Sequence, residues 1–209
     1  MMRIITGTAR GTKLDAPAGM TTRPTAERTK EAVFSSLQFN IRGRCVLDLF
    51  AGSGQMGLEA LSRGAELAYF CDRSADAVKT IRGNAEKTHL ADKCRVYSVD
   101  SQDFLLQNAG RLKFDIVFID PPYASGLVPL CLKKLVAGKL LANGAMLVCE
   151  TPRGAGAFGD DGELGNCFDV TKTSVYGAAE ISILRFKGDD NAAVTNIDTT
   201  KDKKGEGTT

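Results

Sequence analysis

A chain of 209 residues, 43% of them hydrophobic, is long enough to bury a good core within one domain. No uncharged apolar run approaches the ~20 residues that span a bilayer, and no apolar stretch opens the chain, which argues against a membrane helix and a secretory leader. The formal net charge of +2 is unevenly spread: residues 1–44 hold eight Lys/Arg against three Asp/Glu, whereas residues 188–209 hold three against five. Residues 2–14, MRIITGTARGTKL, predict a short β-hairpin in which Arg3, Arg10 and Lys13 flank Gly7 and Gly11. A helix follows over 24–38, with Arg23, Arg28 and Lys30 around its start. This clustered basic surface is the footprint of phosphate contacts, or else an ordinary solvated face. Strands are expected at 45–50, 67–72, 94–99, 114–119 and 144–150, and helices at 53–63, 74–88, 101–109 and 126–137. Their alternation implies a parallel sheet with right-handed crossovers. Residues 154–165 read as a loop rich in glycine and acids, and 168–187 as two strands joined by Gly177-Ala178-Ala179. Residues 188–209 lack the apolar content to offset their ordering entropy and are expected to be a disordered tail. His89, the one histidine, falls at the polar end of a predicted helix and reads as a surface residue. Cysteines 45, 71, 94, 131, 149 and 167 are spread singly with no C-x-x-C, so zinc is not expected and reduced thiols of a cytoplasmic protein are.

Residues 45–65, CVLDLFAGSGQMGLEALSRGA, join a short apolar strand to a helix through a glycine-rich turn at 51–54. Glycines there permit positive φ and close backbone approach, and the helix start presents backbone N–H groups. Gly52, Gly54 and Gly57 match G-x-G-x-x-G, and Asp72 follows at the end of the next apolar stretch, placed to accept from ribose hydroxyls. By itself the pattern suits NAD as well as any nucleoside cofactor. Asp48 turns the reading, because a carboxylate at that strand end is awkward beside a pyrophosphate and useful beside a cationic or amino-bearing ligand.

The second informative stretch is FDIVFIDPPY at 114–123. Four apolar residues form a buried strand, and Asp120 stands at its carboxyl end, where open α/β sheets bind ligands. Pro121 and Pro122 fix the backbone and remove two donors, so a carbonyl is held beside a carboxylate with the Tyr123 ring two residues further on. That set suits a planar, amino-bearing substrate such as a nucleobase. A proline-rich turn after a core strand is the plain alternative.

Asp48-x-Phe50-x-Gly52-x-Gly54 with Asp120-Pro-Pro-Tyr123 resembles class I methyltransferases that use S-adenosylmethionine and act on amines. The longer stretches MRIITGTARGTKL (2–14), TRPTAERTKEAVF (22–34) and LDLFAGSGQMGLEALSRGA (47–65) resemble the RsmD family, in order over residues 2–187. The resemblance implies a Rossmann-like α/β fold: a mostly parallel seven-stranded sheet with a C-terminal antiparallel hairpin and an N-terminal β-hairpin/helix extension. It divides the chain into an RNA-binding extension (1–44), a methyltransferase domain (45–187) and a tail (188–209). It implies transfer of a methyl group to N2 of a guanine in small-subunit ribosomal RNA, as naked RNA or as an assembling subunit, by a cytoplasmic monomer with no metal. Asp120, the Pro121 carbonyl and Tyr123 would hold and stack the base. Residues 51–54 (Ala51, Gly52, Ser53 and Gly54) would contact the methionine portion of the cofactor near Asp48. Asp72 would bind the ribose, and Asp100 with Ser101 the adenine. Asp72 is a departure, since the family commonly has Glu there, and both Asp72 and Asp100 could instead cap the helices that follow them. Arg3, Arg10, Lys13, Arg23, Arg28 and Lys30 would hold RNA. The rivals are a DNA or RNA adenine-N6 methyltransferase, a protein glutamine methyltransferase (which favours Asn at position 120), and a non-catalytic RNA-binding assembly factor.

Overall fold

The computed structural model describes residues 2–18, 24–122 and 126–188. In chain order the elements are α1 (Pro24–Leu37), β1 (Cys45–Asp48), α2 (Gln55–Ser62), β2 (Leu67–Asp72), α3 (Ala75–Lys87) and β3 (Cys94–Ser98). They continue with α4 (Ser101–Asn108), β4 (Phe114–Ile119), α5 (Leu127–Ala137), β5 (Leu141–Pro152), α6 (Gly162–Asn166), β6 (Phe168–Tyr176) and β7 (Ala179–Phe186). Seven strands form one sheet in the order β3-β2-β1-β4-β5-β7-β6. The first five are parallel, and β7 pairs antiparallel with both β5 and β6. The mostly parallel sheet with a terminal antiparallel hairpin is the fold the sequence implied.

Alternation along the strands sorts their side chains onto two faces. Leu47, Val117, Ile119, Leu147 and Cys149 enter one buried cluster with Phe104 and Leu105 of α4 and Leu132 and Leu135 of α5. Val46, Phe70, Ile116, Phe118 and Val148 enter the other, with Phe34 and Leu37 of α1, Leu58 and Leu61 of α2, Ile81 of α3, and Ile4 and Leu14 of the N-terminal segment. The parallel strands are therefore apolar on both sides, as strands covered on both faces must be.

Several expectations need adjustment. β5 begins earlier and ends later than 144–150, and its pairing with β4 shifts register between Phe114 and Ile116. The loop expected at 154–165 gives way near its end to α6, because Asp161 caps a turn by accepting from the Leu164 N–H at 2.8 Å. The N-terminal hairpin is present but short: Arg3 and Lys13 form an antiparallel bridge, the Ile4 N–H donates to the Thr12 carbonyl at 3.0 Å and the Leu14 N–H to the Met2 carbonyl at 3.0 Å. The segment also hydrogen-bonds to α2, as set out below. All six cysteines are free thiols; burial pushes the Cys45 thiol up to about 11 and the Cys71 thiol up to about 12, which keeps both protonated and inert. His89 is exposed. Apart from Gly188, the tail lies outside the described residues. Among the described residues no helix is long and apolar enough to cross a membrane, and no cluster of His, Cys, Asp or Glu could hold a metal ion.

Candidate active site

The glycine turn is held from four sides. Gly52 and Gly54 adopt φ of 54° and 77°, a region that glycine enters without strain. The Ala51 N–H donates to the Cys71 carbonyl at 3.0 Å and the Gly54 N–H to the Ala51 carbonyl at 2.7 Å. The Gly52 N–H donates to Asp72 Oδ2 at 2.8 Å. Asn84 of α3, fully buried, donates from Nδ2 to the Ser53 carbonyl at 2.9 Å. Residues 51–54 are all buried. Gly57, the third glycine of the pattern, serves packing: a Cβ there would meet the Phe70 ring at 2.3 Å, so α2 lies as close to β2 as a glycine permits.

Each parallel strand leads into an acid at its carboxyl end. Across the sheet these are Asp100 after β3, Asp72 on β2, Asp48 on β1, Asp120 after β4 and Glu150 on β5. Asp48, Asp72, Asp120 and Glu150 share the parity of Val46, Phe70, Phe118 and Val148, which places them on the face covered by α1, α2 and α3. Asp48 is buried and accepts from the Gly57 N–H at 3.1 Å, so it also caps the first turn of α2. Asp72 Oδ1 accepts from the Ser74 N–H at 2.9 Å, while Ser74 itself caps α3. Asp100 accepts from the Gln102 N–H at 2.8 Å and caps α4. Thus the capping role weighed for Asp100 is real; Asp100 is also exposed, which leaves its carboxylate open to a ligand. Ser101 is buried directly behind it.

Crowding these acids has an electrostatic consequence. Burial, opposed by the Gly57 hydrogen bond and reinforced by the charge of Asp72, pushes Asp48 up to about 7. Desolvation by the surrounding protein, then the charges of Glu150 and Asp48, push Asp120 up to about 7. The Asp120 side chain is nonetheless exposed, so solvent screens part of that effect and the upward direction is what holds. A site that raises carboxyl groups in this way favours a ligand that brings positive charge or hydrogen-bond donors to them. Pro121 is half-buried and Pro122 exposed. Tyr123 and Arg23 lie outside the described residues.

The N-terminal segment is built onto α2. Glu59, fully buried, accepts from the Ile5 N–H at 2.7 Å and the Thr6 N–H at 3.0 Å. Ser62 Oγ accepts from the Ala9 N–H at 3.0 Å and donates to the Thr6 carbonyl at 2.7 Å. Asn84 closes the far end, accepting from the Asp15 N–H at 2.8 Å and donating to the Asp15 carbonyl at 2.9 Å. One asparagine therefore ties the basic segment and the glycine turn together. Lys30 corrects the sequence reading. It is 2% exposed, donates to the Arg3 carbonyl at 2.5 Å and pairs with Glu59 at 3.5 Å, so it is a core cation and not a phosphate contact. Arg3, Arg10, Lys13 and Arg28 are exposed. Glu59, Asn84 and Glu150 were missed: each acts through partners remote in sequence, and only the strand-end position of Glu150 carried a usable signal.

A parallel sheet with this strand order and terminal hairpin, and a glycine turn facing a carboxylate-proline pair across β1 and β4, define a class I methyltransferase, a class that uses S-adenosylmethionine. A family profile, Conserved hypothetical protein 95, matches residues 2–185, and the chain belongs to that family, the RsmD family. The Bacillus subtilis protein YlbH is 34% identical over 188 residues, spanning 90% of this chain and 100% of that protein. Ribosomal RNA small subunit methyltransferase D of Escherichia coli is 36% identical over 150 residues, 72% of this chain and 74% of that protein. Among solved structures, yhhF of Escherichia coli superimposes with a TM-score of 0.78 at 30% identity, covering 89% of this chain and 98% of that one.

Proposed function

We propose that this chain transfers a methyl group from S-adenosylmethionine to the exocyclic N2 of a guanine in small-subunit ribosomal RNA. The observation that carries the reading is Asp120-Pro121 at the carboxyl end of β4, on the same sheet face as Asp48 and one strand from the glycine turn. The name of the Escherichia coli relative, a small-subunit ribosomal RNA methyltransferase, supports the substrate class. The residues fit the cofactor: a buried backbone cradle at 51–54, a buried carboxylate at Asp48 for a cationic ligand, and acceptors at Asp72 and Asp100 for ribose and adenine.

When bound, the cofactor supplies an electrophilic methyl group on a sulfonium. The chain's task is alignment. Asp120 and the Pro121 carbonyl accept from the N2 hydrogens, which turns the nitrogen lone pair toward the methyl; positioning of this kind contributes up to ~7–11 kcal/mol. Once methylated, N2 would carry one proton too many, and that proton would leave late. The upward shift of the Asp120 carboxyl, from desolvation and the neighbouring acids, suits that late transfer. Tyr123 would stack on the base. Exposed Arg3, Arg10, Lys13 and Arg28, with Arg23, would hold phosphates.

The test is mass spectrometry of nucleosides from small-subunit RNA and particles incubated with the protein and S-adenosylmethionine. N2-methylguanosine is expected from the parent protein and not from Asp120→Ala, with cofactor affinity kept within a few-fold. N6-methyladenosine, or undiminished turnover by Asp120→Ala, would overturn the reading.

A further inference from the structure

The reading above gives four of the five strand-end acids a role toward cofactor or base; Glu150 is the fifth. Its place is fixed by register. Ile119 of β4 is paired with Cys149 of β5, so Asp120 and Glu150 stand side by side one step further along the two parallel strands. Phe118 and Val148, two residues before each, both enter the cluster beneath α1 and α2. The two acids therefore leave the sheet on one face, about one strand spacing (~4.8 Å) apart. Glu150 is half-buried and close enough to Asp120 for its charge to be felt there. Asp48 lies on the strand beyond Asp120, also on this face.

The chemistry of the pair is selective. An ionised carboxylate only accepts hydrogen bonds. Two carboxyl groups side by side offer adjacent acceptors, and a ligand edge with two adjacent donors matches them. Guanine presents such an edge, with N1–H next to the N2 amino group. Adenine presents its amino group next to N1, an acceptor, which would face a carboxylate lone pair.

Resting on the reading of the site as a guanine-N2 methyltransferase, we infer that Glu150 accepts from N1–H of the target guanine beside the hold of Asp120 on N2, and so selects guanine over bases that lack that donor. The rival to this contact is a merely electrostatic role for Glu150 as a neighbour of Asp120. Such a role would alter turnover on every base alike, whereas an N1–H contact changes the preference between bases.

The experiment uses the full chain and small subunits carrying guanine or 2-aminopurine at the position the parent protein methylates. 2-Aminopurine keeps the 2-amino group and lacks N1–H. Transfer of labelled methyl is measured on both, with cofactor affinity by calorimetry as the check on folding. The parent should favour guanine in kcat/KM by about tenfold or more, since a site built to hydrogen-bond a donor rejects analogues without it. Glu150→Ala should bring the ratio down toward unity, while Glu150→Gln, which keeps an acceptor oxygen, should hold most of it. A parent protein that methylates 2-aminopurine as well as guanine overturns the inference with no variant needed. So does an unchanged ratio in Glu150→Ala. A parent that methylates no guanine overturns the functional reading itself, and this inference with it.

Discussion

Asp48 makes opposing demands on the free and liganded protein. Its carboxyl is raised from 3.8 to about 7 in the fold. Between those pH values the folded chain keeps a proton that the unfolded chain has lost, so stability falls as pH rises through about 4 to 7 and stays at the lower level above. Asp48→Asn removes the penalty and keeps an oxygen for the Gly57 N–H. The variant should melt higher than the parent at pH 8, by an amount on the order of a few kcal/mol at most, and the difference should vanish by about pH 4. Its affinity for S-adenosylmethionine should drop, and the strengthening of parent binding from pH 6 to 8 should flatten. Equal melting of both proteins across that range would show that Asp48 is ionised without cost. At this scale the sequence was legible wherever a residue's role is set by near neighbours. Asp48, Asp72, Asp100 and Asp120 each sit at a strand end that the apolar pattern marks. Glu150 ends an apolar run too, but its meaning lies in the register with Asp120. Lys30 reads as one more basic residue in a basic segment, because Glu59, which neutralises it, lies 29 positions on with no local sign of the pairing.

The N-terminal segment and α2 form a joint element. Glu59 is wholly buried and serves Ile5, Thr6, Lys30 and Arg63 at once. Removing one partner of a buried ion pair leaves the other charge uncompensated, which costs about 3–5 kcal/mol. Glu59→Ala should therefore lose about that much in urea unfolding, whereas a loss under 1 kcal/mol would mean that solvent reaches Lys30. The helices and strands of the parallel half were readable from apolar period and caps, with ends displaced by one to three residues. The hairpin was less so. Gly7 was read as a turn glycine, and it does adopt φ of +92°, but a Cβ there would lie 1.8 Å from the Ser62 carbonyl oxygen. Its second reason for being glycine is the close approach of α2, a tertiary fact that local spacing does not encode.

Over the whole molecule, the sheet separates two faces, and the strand-end acids, the glycine turn, α1 and the basic N-terminal segment are all associated with one of them. An RNA held by Arg10 and Lys13 would approach from that side. Each true phosphate contact releases counterions, so the Arg10→Ala/Lys13→Ala double variant should weaken RNA binding and reduce the slope of log affinity against log salt by ~0.7–0.9 per contact. Cofactor affinity should persist. An unchanged slope would move the RNA elsewhere on the surface. The same layout bears on how the chain acquires its form during synthesis. The partners that settle residues 5 to 15 are Glu59, Ser62 and Asn84, which follow them by 53 to 69 positions. Contacts of such separation form only after the intervening loop has closed. Residues 5 to 15 leave the ribosome well before the partners that fasten them, and a nascent chain halted before residue 84 lacks the asparagine that ties Asp15 to the glycine turn.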